Sequence, residues 1–147
     1  MKPHQEALKS ADIFASLPDE LLARMAVRVQ LRQFDKDARI FRAGDPGTTL
    51  FVIANGRVSI QTESATGKLV TLAELGPGDA FGDLALLDGK PRSAAAIAIE
   101  DTECLTLSRQ DFLDLVEADA STMRAVLASA AAVIRTMNER LIEVGSH

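Results

Sequence analysis

Residues 81–94 combine a glycine, a short apolar stretch and an arginine in an order that suits binding of a small anion. Gly82 allows a ligand to approach the backbone, because it carries no side chain. The amide groups of Leu84 and Ala85 lie where a short helix would begin, so they have no partner within that helix. Arg92 offers several donors in a planar fork that matches phosphate oxygens. The sequence therefore predicts a phosphate site.

Asp83 lies within this predicted anion site, so its carboxylate requires a different role. A carboxylate can accept hydrogen bonds from a sugar hydroxyl, as acidic residues do for ribose in dinucleotide sites. The alternative is that Asp83 caps the short helix. For Arg92, the alternative is an ordinary surface ion pair, which would contribute little to stability.

The motifs resemble those of the cyclic nucleotide-binding domains of catabolite-activator regulators, cyclic-nucleotide-dependent kinase regulatory subunits and gated channels. The phosphate-binding cassette of that family runs Phe-Gly-Glu-x-Ala-Leu, a spacer and Arg-Ser/Thr/Ala-Ala, and residues 81–94 follow it nearly throughout. The resemblance also includes the turns at 44–47, 55–58 and 75–80. It extends over about residues 10–145, and several turns in order are more specific than one glycine-rich loop.

The resemblance implies a ligand-binding set of Phe81, Gly82, Asp83, Leu84, Ala85, Arg92, Ser93 and Ala94. In that set, backbone amides of the cassette would donate to the ligand, Asp83 would hold the ribose 2′-hydroxyl, and Arg92 would pair with the cyclic phosphate. Ser93 would place a hydroxyl near the phosphate or the purine. The family usually has glutamate where this chain has Asp83, and the shorter side chain predicts a shifted ligand, a bridging water or weaker affinity.

Composition limits the class of protein. A chain of 147 residues fits one domain with a real core, and 47% hydrophobic against 4% aromatic residues indicates that aliphatic side chains form most of it. A net charge of −5 and the few aromatic residues argue against a nucleic-acid surface. The lone Cys104 is interpreted as a small core residue. The sequence contains neither a membrane span nor a secretory signal, so we expect a cytoplasmic protein without membrane contact.

Enzymes and metal proteins are disfavoured. Cupin-type metalloenzymes share such a strand pattern, but their clustered ligands are missing here, since His4 and His147 stand at opposite ends of the chain. One cysteine also does not supply the ligands of a haem or an iron–sulfur cluster. We expect no catalytic residues, no metal and no cofactor, with cAMP or cGMP as the ligand. cAMP is the more common ligand among the bacterial-looking members of this family, so we expect cAMP rather than cGMP to be the ligand.

Hydrophobic periodicity divides the single domain, 1–147, into three regions. Helical spacing over 10–30 predicts N-terminal helices, the second of which begins near Pro18. Alternating apolar residues with frequent turns over 31–107 predict a mainly β fold, an antiparallel β-roll or jelly-roll barrel. Helical spacing returns over 108–145 and predicts a long C-terminal helix. The predicted strands lie near 38–42, 49–54, 57–63, 69–74 and 94–100.

Seven apolar residues of the last helix are spaced alternately by four and three: Met123, Leu127, Ala130, Ile134, Met137, Leu141 and Val144. This heptad seam predicts a parallel homodimer, and the alternative is that the seam packs on the barrel of its own subunit. The resemblance implies that this helix also covers the purine, with Arg135 and Thr136 as possible lid residues. Ligand binding would then rearrange the helix, with Phe81 and Leu87 as candidate packing residues.

Only three residues follow Val144, whereas transcription factors of the family continue into a helix-turn-helix domain. We therefore expect either a stand-alone sensor that acts through an unknown downstream protein or a fragment without its output domain. The alternative function is a degenerate, nucleotide-free dimeric interaction module of the same fold. The intact segment 92–94 argues against that alternative, because a decayed cassette would be expected to lose its arginine early.

Overall fold

The structure is a computed structural model that describes residues 3–11, 14–82, 91–117, 120–128 and 131–132. Two helices precede the β domain in the chain and two follow it within the described residues. Helix α1 spans Pro3–Ser10, α2 spans Asp19–Arg28, α3 spans Arg109–Val116, and α4 is the helical segment 120–128. The hydroxyl of Ser108 accepts a hydrogen bond of 3.1 Å from the amide of Asp111 and so caps the start of α3.

Within the described residues, eight strands form two antiparallel sheets of four strands each. The strands are β1 Gln30–Phe34, β2 Arg39–Phe41, β3 Thr49–Asn55, β4 Val58–Glu63, β5 Leu69–Leu75, β6 Ala80–Phe81, β7 Ala95–Ala98 and β8 Thr102–Ser108. One sheet has the order β1-β8-β3-β6 and the other β2-β7-β4-β5. The predicted fold, a mainly antiparallel β-roll with flanking helices, is confirmed.

Strand β3 is apolar on both faces because it separates two cores. Leu50 and Val52 belong to a core shared with the helices, which also contains Leu22 and Phe112. The alternate residues of β3 belong instead to a core between the two sheets. A strand that is covered on both faces is expected to be continuously apolar, as β3 is.

The core between the sheets concentrates the aromatic residues. Four of the six phenylalanines of the chain, Phe34, Phe41, Phe51 and Phe81, contact one another there. The rings of Phe51 and Phe81 are stacked with their centroids 4.9 Å apart. This aromatic cluster lies directly beside the predicted phosphate site, because Phe81 is the first residue of the cassette.

Helix α2 lies within the predicted range 10–30 and begins directly after Pro18, whereas α1 spans Pro3–Ser10, almost entirely before that range. Phe14 and Leu17 are buried on consecutive turns, in which the Phe14 amide donates to Ala11 at 2.9 Å and the Leu17 amide donates to Phe14 at 3.1 Å. Such turns repeat every three residues, so they reproduce apolar spacing similar to that of a helix.

No helix within the described residues is both long enough and apolar enough to cross a membrane.

Candidate functional site

Arg92 is held at the site by its own backbone. Its amide donates to the Asp45 carbonyl at 2.8 Å, and its carbonyl accepts from the Gly44 amide at 2.7 Å. The φ of Gly44 is +89°, a conformation that glycine adopts without strain. The glycine-containing turn at 44–47 therefore fixes the arginine, although the two segments are far apart in sequence.

The side chain of Asp45 stabilises the turn at 44–47, which binds the backbone of Arg92. The amide of Arg42 donates to Oδ2 of Asp45 at 2.8 Å, and the amide of Asp45 donates back to the Arg42 carbonyl at 3.1 Å. Aspartate favours turns because its side chain can bind a nearby backbone amide in this way. Asp45 thus stabilises the turn with its side chain and binds Arg92 with its main chain.

The Arg92 side chain is buried, with 7% of the residue exposed. Its Nη1 donates to the Gly82 carbonyl at 3.0 Å, and its Nη2 donates to the Thr49 carbonyl. Hydrogen bonds from a charged donor are stronger than those between neutral groups, which offsets part of the cost of burying the charge. The guanidinium therefore joins the start of the cassette to the first residue of β3.

The same guanidinium lies over an aromatic ring. The Arg92 Cζ atom is 4.3 Å from the centroid of Phe41 and 5.9 Å from that of Phe51. A cation this close to a ring face is attracted by the negative potential of the π system. Neither contact was predicted from the sequence.

Gly82 has φ +77°, and its close neighbour is Arg92. A Cβ atom at this position would overlap the Arg92 guanidinium and would lie 3.0 Å from the Thr49 carbonyl oxygen. The sequence predicted that Gly82 leaves room for a close approach. In the structure, the group that approaches closely is the arginine of the cassette.

The remaining predicted site residues fall into two groups. Phe81 is buried on β6 opposite Phe51, Ala94 is buried, and Ser93 is exposed beside Arg92. The structure thus brings Phe81, Gly82 and Arg92 together. The other predicted residues lie outside the described part of the chain: Asp83, Leu84, Ala85, Leu87, Arg135 and Thr136.

Sequence reasoning missed three contributors to the site: Phe41, Asp45 and the Thr49 carbonyl. Asp45 carried a signal, because the turn at 44–47 was recognised as a motif without a structural role. Thr49 contributes through its main chain, and a main-chain role leaves no trace in the residue type. The sequence around Phe41 is that of an ordinary short strand, so it does not indicate a contact with Arg92.

Cys104 lies in the wall of the β-roll and is fully buried. Burial raises the pKa of its thiol to about 12, and the nearby positive charge of Arg32 opposes part of that rise. A thiol with this pKa is inert at neutral pH. The interpretation of Cys104 as a small core residue is confirmed.

Comparison with known proteins agrees with this arrangement. A sequence model described as the cyclic nucleotide-binding domain matches residues 31–119. The cyclic AMP receptor protein of Thermus thermophilus is 39% identical over 109 residues, which cover 74% of this chain and 50% of that protein. The chain therefore spans half the length of this relative.

Two solved structures are similar in fold. One is the N-terminal domain of a transcriptional regulator from Streptomyces coelicolor A3(2), with 28% identity and a TM-score of 0.82 over 92% of this chain and 94% of that one. The other is the regulatory domain of Toxoplasma gondii PKA in a co-crystal with cAMP, with 27% identity and a TM-score of 0.72 over 76% of this chain and 42% of that one.

Proposed function

Because the chain belongs to the cyclic nucleotide-binding domain family, we propose that it is a regulatory sensor that binds a cyclic nucleotide monophosphate, with cAMP preferred to cGMP. The observation that carries this proposal is the placement of Arg92. Its backbone is bound on both sides by the turn at 44–47, and its guanidinium lies against the Gly82 carbonyl at the start of the cassette. An arginine used only for a surface ion pair would not need to be buried and oriented in this way.

In this proposal the cyclic phosphate binds along the edge of the Arg92 guanidinium. The Nη1 and Nη2 atoms would exchange two carbonyl partners for phosphate oxygens. A charged acceptor binds a guanidinium more strongly than a neutral carbonyl does, and the paired geometry of phosphate matches the arginine fork. The amides of Leu84 and Ala85 would donate to the same phosphate, Asp83 would bind the ribose, and Ser93 would lie near the phosphate or the purine.

The preference for cAMP is supported by the relatives rather than by the site. The Thermus relative is named a cyclic AMP receptor protein, and the Toxoplasma regulatory domain was crystallised with cAMP. Residues that would contact the purine edge, Arg135 and Thr136, lie outside the described residues. We propose binding, and no catalysis, as the activity of this domain.

We propose that the C-terminal helix carries the signal and forms a homodimer. In α4, Val126 packs into the core shared with the helices, whereas Met123 and Leu127 of the heptad seam are 43% and 63% exposed. The seam therefore faces away from its own subunit over this segment, as a dimer contact requires. An apolar seam left in water would be unfavourable, and pairing would bury it.

Helix α4 has space beside it into which it could move. An open cleft of about 310 Å³ lies between it and α2 and is lined by Pro18, Glu20, Leu21, Arg24, Ser121, Thr122 and Ala125. The cleft gives α4 space to shift, and such a shift would rearrange the packing of Val126 in the core. The shift would be transmitted to an unknown downstream protein or a further domain, and we expect this to happen in the cytoplasm.

Calorimetric titration of the purified protein with cAMP, cGMP and 5′-AMP tests the proposal. We expect saturable binding of the cyclic nucleotides, tighter for cAMP, and much weaker binding of 5′-AMP, whose doubly charged terminal phosphate and free 3′-hydroxyl do not fit the cassette. Absence of heat with cAMP and cGMP, from folded protein free of co-purified nucleotide, would favour the nucleotide-free interaction module.

A further inference from the structure

Phe41 lies beneath the guanidinium of Arg92, with 4.3 Å between Cζ and the ring centroid. We propose that Phe41 is a positioning residue for cyclic nucleotide binding, whose ring holds Arg92 in the orientation that meets the phosphate. This inference rests on the proposed function and adds a residue outside the cassette to it. Phe41 itself would not touch the ligand.

The arginine makes its two kinds of contact with different atoms. Its Cζ atom lies over the Phe41 ring, while Nη1 and Nη2 donate to the carbonyls of Gly82 and Thr49. Phosphate oxygens also bind a guanidinium along its edge. A phosphate would therefore replace the two carbonyls and leave the ring contact intact, so the contribution of Phe41 is retained on binding.

The ring can act as a support because it is itself held in place. Its centroid lies 5.9 Å from both the Phe51 and the Phe81 centroids, and Phe41 pairs with Ala96 across β2 and β7. Arginine has a long side chain whose freedom must be lost on binding. A fixed ring that already restricts Arg92 reduces that loss, and it also favours the charged group in a buried position.

The alternative role of Phe41 is that of an ordinary core residue, and the chain offers a matched control for it. Phe34 belongs to the same aromatic cluster and meets the Phe51 ring at a centroid distance of 6.2 Å. The cation over Phe34 is Arg32, at 5.2 Å, instead of Arg92. Substitution of Phe34 therefore removes a similar ring from the same core without removing the support of the cassette arginine.

The test is a calorimetric titration with cAMP of the wild-type protein and of Phe41→Leu, Phe41→Tyr and Phe34→Leu. We expect Phe41→Leu to raise the Kd by about two- to tenfold, the cost of ordering one long side chain on binding, because the ring contact itself is present in both the free and the bound state. Phe41→Tyr keeps the ring face and should stay within about threefold of the wild type. Phe34→Leu should lower thermal stability and leave the Kd nearly unchanged.

A second readout reports on Arg92 directly. The ring current of Phe41 should shift the Arg92 side-chain Hε resonance upfield in the wild type, and Phe41→Leu should abolish this shift. If Phe41→Leu does not fold, Phe41→Met replaces it, because methionine conserves more of the volume without an aromatic face.

The outcomes separate the inference from the proposed function. Tight binding by the wild type together with an unchanged or lower Kd in Phe41→Leu would overturn the inference alone. Equal losses in Phe41→Leu and Phe34→Leu would also overturn it, since they would indicate a general effect of the core. A wild-type protein that binds neither cyclic nucleotide would overturn the proposed function and the inference together.

Discussion

The main-chain carbonyl of Gly82 accepts a hydrogen bond of 3.0 Å from Nη1 of Arg92, and the same guanidinium fills the space that a Cβ atom at Gly82 would need. Gly82, near the start of the cassette, and Arg92, near its end, are therefore in direct contact. The contact explains why this position requires glycine for two reasons, its φ of +77° and its lack of a side chain.

Gly82→Ala should therefore lower the free energy of unfolding by more than a glycine substitution that strains only the backbone. Gly67 provides the control, because its φ is +81° and nothing lies within 4 Å of a Cβ atom placed there. We expect Gly67→Ala to lower the free energy of unfolding by about 1 kcal/mol and Gly82→Ala to lower it by about 2–3 kcal/mol. Urea unfolding measures both values, and equal losses would argue against the packing of Arg92 on Gly82.

Asp45 connects the turn at 44–47 to Arg92, so Asp45→Ala should loosen the arginine. The substitution removes the acceptor of the Arg42 amide, and we expect a loss of about 1 kcal/mol in stability and about fivefold in cAMP affinity. Asp101 is the control, because its Oδ1 accepts from the Lys36 amide at 2.9 Å, away from Arg92. Asp101→Ala should reduce stability to a similar extent. Equal effects of the two substitutions on affinity would contradict the role of Asp45.

The bounds of four strands were predicted well. β2, β3, β4 and β5 begin and end within one residue of the predicted ranges, because short apolar runs and glycine-containing turns delimit them. β1 was not predicted as a separate strand. It lies at the edge of its sheet and is mostly exposed, so its sequence carries little apolar signal.

The residues that would bind phosphate could be predicted from the sequence more readily than the residues that hold them in place. Arg92 and Gly82 stand within one motif, and their residue types match phosphate binding. Phe41 and Thr49 reach Arg92 only through the pairing of distant segments, including a main-chain carbonyl that no residue type specifies. Local patterns in a sequence do not encode such long-range contacts.

Cys104 should make stability depend on pH in the alkaline range. Its pKa rises from 9.0 to about 12 on folding, so the folded state favours the protonated thiol. The stabilisation is fully present below pH 9 and is lost as the pH rises from 9 toward 12, by up to about 1.4 kcal/mol per pH unit. Urea unfolding at several pH values, compared with Cys104→Ala, measures this difference. Parallel pH profiles for the two proteins would contradict the burial of the thiol.

The exposed seam of α4 predicts that Leu127→Glu converts a dimer into a monomer. A charged residue at the seam would be buried without a partner on pairing, which is unfavourable. Light scattering coupled to size-exclusion chromatography gives the mass of each protein. Ala128→Glu is the control, since Ala128 is exposed and lies outside the seam, and it should remain dimeric. A monomeric wild-type protein, with or without cAMP, would contradict dimerisation through this helix.

The central claim is that Arg92 binds the cyclic phosphate, and calorimetric titration of Arg92→Ala with cAMP tests it most directly. Arg57→Ala is the matched control, because Arg57 forms an exposed ion pair with Glu74 at 3.6 Å. We predict that Arg92→Ala, shown to be folded by circular dichroism, loses measurable binding while Arg57→Ala keeps the affinity of the wild type. Binding by folded Arg92→Ala with wild-type affinity would contradict the account.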